Sequence, residues 1–132
     1  MKHEPINPES LGATRGYSNG MLAKPGRLLF VAGQIGWGPG QKLVGPGMIE
    51  QFGAALANVV TVVRQAGGQP DDIVRLTIFC VDKVEYIAGA KAIGVAYRNL
   101  MGKHFPAMSL IVVKDLLEEG AKVEIEATAV IT

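Results

Sequence analysis

Ile73-Val74-Arg75-Leu76-Thr77-Ile78-Phe79-Cys80-Val81 carries apolar side chains on both of its alternating faces for much of its length. Neighbouring side chains of a strand point to opposite sides, and a strand apolar on both is covered on both. The fold therefore turns on what the rest of the chain offers as the two covers.

The first cover is helical. From Met48 to Ala66 the positions Ile49, Phe52, Leu56, Val59 and Val63 recur at spacings of three and four, the period of one helix face, and Gly67-Gly68 ends it. After the strand, Asp82-Lys83-Val84-Glu85 has the form of a capping box and predicts a second helix over roughly Val84 to Met101. Gly89 and Gly94 inside it each cost about 1 kcal/mol relative to alanine, so a close approach to another backbone is expected at both.

Four further stretches read as strands. Gly20-Met21-Leu22-Ala23 and Arg27 to Ala32 flank Pro25-Gly26, a turn pair, and predict a hairpin over Asn19 to Ile35. Pro106 biases Phe105 toward extended geometry and introduces a strand from Ala107 to Val113. Lys122 to Ile131 alternates, with Val123, Ile125 and Ala127 on one side and Glu124, Glu126 and Thr128 on the other. The expected order is β-β-α-β-α-β-β: an α+β domain spanning 1–132, with a mixed sheet and both helices on one face. The second face of the sheet would then be a large apolar patch, for which self-association is the simplest cover. The first few residues are expected to lie outside the fold.

Thirteen basic against twelve acidic residues leave a net charge of +1 without a basic stripe, which argues against phosphate-driven nucleic-acid binding. No apolar run suits a signal peptide or a membrane span, and the lone Cys80 agrees with a reducing compartment, so the cytoplasm is the expected location. With only His3, His104 and Cys80 as soft ligands, neither a metal nor another cofactor is expected. The glycines between Gly36 and Gly47 lack a phosphate-loop context and read as loop geometry. Cys80 reads as a small buried hydrophobe and His104 as a solvated loop histidine. Glu126 reads as a solubilising carboxylate, whereas Glu124 or Glu126 in a subunit interface could hold a water or move a proton.

Gly16-Tyr17-Ser18, Phe30-Val31-Ala32-Gly33-Gln34-Ile35, Gln51 through Asn58-Val59, Ala66-Gly67-Gly68 with Asp72-Ile73-Val74, Phe105-Pro106-Ala107-Met108-Ser109 and Val123-Glu124-Ile125-Glu126-Ala127 occur in this order across nearly the whole chain. Together they resemble the YjgF/RidA family of reactive-intermediate (imine/enamine) deaminases, also known as translation-inhibitor or endoribonuclease-like proteins. The resemblance implies a chorismate-mutase-like fold, a homotrimer whose sheets form a central barrel, and three small-molecule clefts between subunits. It implies catalytic roles for Glu124, which would hold a water, and for Tyr17, with Gly33 offering exposed backbone to the substrate.

The family's deaminases place an arginine where this chain has Met108, a serine where it has Ala32, and in some members an asparagine where it has Gly94. Without that arginine, two readings stand. Either the cleft acts on an imine, enamine or related labile molecule with another anchor, such as Arg15 or a residue near Trp37, or it binds an apolar or aromatic ligand against Met108 and Trp37. A ribonuclease role fits the net charge of +1 poorly.

Overall fold

The computed structural model describes residues 2–132. In chain order the elements are β1 (Glu4–Ile6), β2 (Gly20–Leu22), β3 (Arg27–Ile35), α1 (Met48–Gln65), β4 (Ile73–Cys80), α2 (Lys83–Ala88), α3 (Ala90–Met101), β5 (Ala107–Val112) and β6 (Val123–Ile131), with short 3-10 turns at Glu9–Leu11 and Pro70–Asp72. The main sheet has the order β3-β6-β4-β5, with β6 antiparallel to both neighbours and β4 parallel to β5. A parallel pair needs a long crossover, and α2 with α3 supplies it.

The helices lie on one face, as the alternation of β6 requires. Leu76, Ile78, Val123, Ile125 and Ala129 are buried beneath Phe52, Leu56, Val59 and Val63 of α1. Ile49, expected on the buried stripe, is 43% exposed; Met48 and Gln51 are buried in the first turn instead. On the other face Leu28, Phe30 and Ile111 are exposed, Phe30 by 72%.

The predicted hairpin over Asn19 to Ile35 does not form. β2 pairs with β1, and β3 pairs with β6. The turn glycine Gly26 serves a different contact, since a β-carbon there would stand 2.5 Å from the Ile131 carbonyl oxygen. The first described residues are also part of the fold, Met1 lying outside them. His3 is buried, accepts from the Lys24 amide at Nδ1 and donates from Nε2 to the Val130 carbonyl. Three residues are too short a run for alternation to reveal β1.

The second predicted helix is two, divided at Gly89. Asp82 caps α2 as expected, accepting from the Glu85 amide. The Glu85 carboxylate does not reciprocate; it accepts from the Met48 amide and from Lys122 Nζ. Neither helix glycine meets another backbone as expected within this chain: a β-carbon on Gly89 would touch the Ile49 side chain, and one on Gly94 would find only the Arg98 guanidinium.

Candidate functional site

Two polar side chains of α1 fix the geometry around the end of β3. The amide of the fully buried Gln51 donates to the carbonyls of Gly45 and Gly120 and accepts from the Lys122 amide. Asn58 donates to the carbonyls of Ile35 and Trp37. Gly36 is required where β3 passes the helix, because a β-carbon there would stand 2.6 Å from Gln51 Cα. The glycine-rich loop is thus fastened at both ends to α1.

With its end held, β3 bulges. Val31 pairs with Ala127 and Gln34 with Ile125, which leaves Ala32 and Gly33 opposite Glu126 alone. A bulge removes a residue from the ladder and redirects the backbone. Here it brings Gly33 against Glu124: a β-carbon on Gly33 would lie 2.5 Å from Glu124 Oε2. Glu124 is half-buried on the open face, beside Phe79 and Ile35 in register. Among the described residues its carboxylate accepts no hydrogen bond.

The loop before β2 builds a second feature at the other side of the sheet. Ser18 forms a parallel bridge to Ala107, its amide donating to the Pro106 carbonyl and its hydroxyl to that of Phe105. Gly16, at φ +75°, turns the chain just before this anchor, a conformation that disfavours other residues. Arg15 and Tyr17 are thereby set beside Met108, the second residue of β5. One hollow of about 340 Å³ is lined by Arg15, Tyr86, Ile93, Gly94, Arg98 and Met108 among others. It adjoins a second hollow that shares Arg15, Tyr86 and Met108 and adds Tyr17 and Leu110.

Tyr86 and Arg98 were not singled out by the sequence reading. The spacing of Tyr86, Ala90, Ile93 and Tyr97 is that of one helix face and could have shown Tyr86. Tyr86 packs edge-on to Phe52, and Tyr97 stacks on Phe105 at 5.3 Å. Burial, with a smaller contribution from nearby Cys80, pushes the Tyr86 phenol up to about 12, so it stays a neutral donor. Burial likewise pushes the Tyr97 phenol up, and its hydroxyl donates to the His104 carbonyl.

The candidates fall into two groups on opposite faces. Met108 pairs with Leu76, so it shares the helix-covered side, while Glu124 pairs with Phe79 on the open side. Arg15, Tyr17 and Met108 come together, as do Gly33 and Glu124; one chain does not unite the two groups. Trp37 lines neither hollow and lies two residues beyond Ile35, the register partner of Glu124. His104 is not solvated: it is buried, with Nε2 bonded to the Ile73 carbonyl. Cys80 is buried and free, and burial pushes its thiol up, which disfavours a nucleophilic thiolate.

The sequence pattern of the Endoribonuclease L-PSP family matches residues 8–131, nearly the whole chain. The chain belongs to that family, which is the YjgF/RidA family. It is 30% identical over 115 residues to the 2-iminobutanoate/2-iminopropanoate deaminase of Capra hircus, covering 86% of this chain and 79% of that one. Among solved structures, YyfB of the conserved Rid protein family from Yersinia pestis is 34% identical, with a TM-score of 0.89 over 99% of this chain and 100% of its own. TdcF of E. coli, solved with bound serine, is 29% identical, with a TM-score of 0.69 over 92% of each chain. The fold expected from the sequence is that of these relatives.

Proposed function

We propose that the protein hydrolyses reactive imines or enamines in clefts completed between copies of the chain. The observation that carries this reading is the Glu124 carboxylate, held without a partner over the bulged backbone at Gly33 on the uncovered face. A homotrimer that closed the sheets into a barrel would cover Leu28 and Phe30. Burying a side chain such as Phe30 contributes about 2 kcal/mol. The same association would bring one protomer's Glu124 to the hollow beside Met108 of the next. The single buried thiol favours the cytoplasm.

In this cleft Glu124 orients a water against the imine carbon and accepts its proton as the carbon–oxygen bond forms and the carbon–nitrogen π pair moves to nitrogen. The nitrogen takes up a proton to give a carbinolamine. Glu124, which has passed the water's first proton to that nitrogen, then moves the hydroxyl proton to it as well, so that the carbonyl forms as the carbon–nitrogen bond breaks and ammonia leaves. Tyr17 and the neutral Tyr86 phenol are donors for the polar groups of the substrate. The relatives named as iminobutanoate and iminopropanoate deaminases support the reaction class; Met108 argues that the substrate differs from theirs. No basic stripe supports action on RNA, despite the family's name.

The test compares wild type, Glu124→Ala and Met108→Arg on freshly generated 2-imino acids and their apolar imine analogues. The proposal expects wild-type hydrolysis above the spontaneous rate and its loss in Glu124→Ala. Equal rates for wild type and Glu124→Ala would contradict it. The apolar lining by Ile93, Phe105 and Met108 favours one second reading, a non-catalytic trimer that binds an apolar or aromatic metabolite. Saturable binding of such a compound without any turnover would select that reading.

A further inference from the structure

The exchange of arginine for methionine at 108 leaves the hollow without the family's usual carboxylate anchor, yet it is not without positive charge. Arg98 lies one turn beyond Gly94 on α3. Its guanidinium folds back along the helix, so that a β-carbon on Gly94 would stand 3.4 Å from Nη1 and 4.0 Å from Nη2. The arginine fork thus lies in ordinary contact distance of the place a β-carbon at 94 would take. Arg15 enters the same hollow from the loop before Tyr17.

No carboxylate lines this hollow. Among the described residues neither arginine is in a salt bridge or donates a side-chain hydrogen bond. The remaining walls are apolar or aromatic: Phe52, Ile78, Ile93, Phe105 and Met108. Two unpaired guanidinium groups at the rim of an apolar hollow of about 340 Å³ suit one class of ligand, a small monocarboxylate with an apolar or aromatic body. A guanidinium binds a carboxylate through two parallel hydrogen bonds, and an apolar body displaces water from the walls.

We propose that Arg98, folded back beside Gly94 and assisted by Arg15, is the carboxylate anchor of this hollow, and that Met108 contacts the ligand's apolar body. This specifies the substrate class of the cleft in Proposed function and rests on that reading for its catalytic meaning. The anchor itself is a binding claim and is tested without turnover.

The experiment titrates the full chain, in its assembled state, with benzoate and with the isosteric neutral benzamide at low ionic strength, followed by calorimetry or NMR. The expected result is saturable binding of benzoate, at least tenfold weaker binding of benzamide, and at least a tenfold loss of benzoate affinity in Arg98→Gln that Arg98→Lys partly restores. Arg15→Gln is expected to lose less, about threefold by the same charge argument. Because Arg98 is exposed on its helix, its replacement leaves the fold intact. Gly94→Val offers a second route, displacing the guanidinium without removing its charge, and is expected to weaken benzoate as well. Equal binding of the two probes, no binding of benzoate, or full benzoate affinity in Arg98→Gln would overturn the anchor. Imine turnover measured alongside separates the two claims: discriminating benzoate binding with no turnover contradicts the deaminase alone, and Glu124-dependent turnover with unchanged benzoate affinity in Arg98→Gln contradicts the anchor alone.

Discussion

Glu124 and Gly33 occupy one another's space: the carboxylate lies where the side chain of any other residue at 33 would begin. The bulge at Ala32 and Gly33 makes the contact, and the absence of a β-carbon permits it. Gly33→Ala is therefore expected to push the flexible end of Glu124 aside while leaving β3 paired. Activity on imines should fall at least tenfold, with a change in unfolding midpoint of only a few degrees. Steady-state kinetics and a thermal melt check both halves.

Gln51 is a different kind of residue, although it too lies in one of the family-like segments. It is fully buried and satisfies three backbone groups, at Gly45, Gly120 and Lys122. Gln51→Leu keeps the volume but leaves those groups unpaired, at about 1–3 kcal/mol each where no water replaces the bond. A loss of about 3 kcal/mol in chemical denaturation is expected, with faster amide exchange in the segment from Gly36 to Gly47.

Acid stability should depend on Asp72. Burial raises its carboxyl, but the Gln69 amide, the Lys2 ammonium and Thr132 outweigh that and hold it below the ordinary value of 3.8. With the folded value depressed, the unfolded chain binds the proton more readily, so the contribution is fully present above pH 3.8 and is lost as pH falls through the folded value. Denaturation midpoints of the wild type should drop more steeply below about pH 4 than those of Asp72→Asn. Parallel curves would contradict this assignment.

How legible these features were depended on the length of the pattern that encodes them. α1 repeats its apolar period over five turns, and β6 alternates cleanly, so both could be read directly. β1 has three residues and no period, and its capture of β2 undid the expected hairpin. The motif segments pointed to Tyr17, Gly33 and Glu124, but single-strand patterns do not show which face pairs with which. Only the register of β4 with both neighbours places Met108 and Glu124 on opposite sides of the sheet. Arg98 escaped notice because an exposed arginine belongs to no apolar period, and only the fold sets it beside Arg15 at one hollow.

That division between faces makes the inter-subunit cleft directly testable by mixing two variants. Glu124→Gln disables the open face, and Met108→Trp fills the hollow of its own chain, so each alone should be inactive on imines. Co-refolded in equal amounts, random trimers would join an intact hollow to an intact Glu124 in about a quarter of their clefts, and a matching share of wild-type activity should return. If the mixture, shown to exchange subunits, is as inactive as its parts, each site is built within a single chain and the account is contradicted.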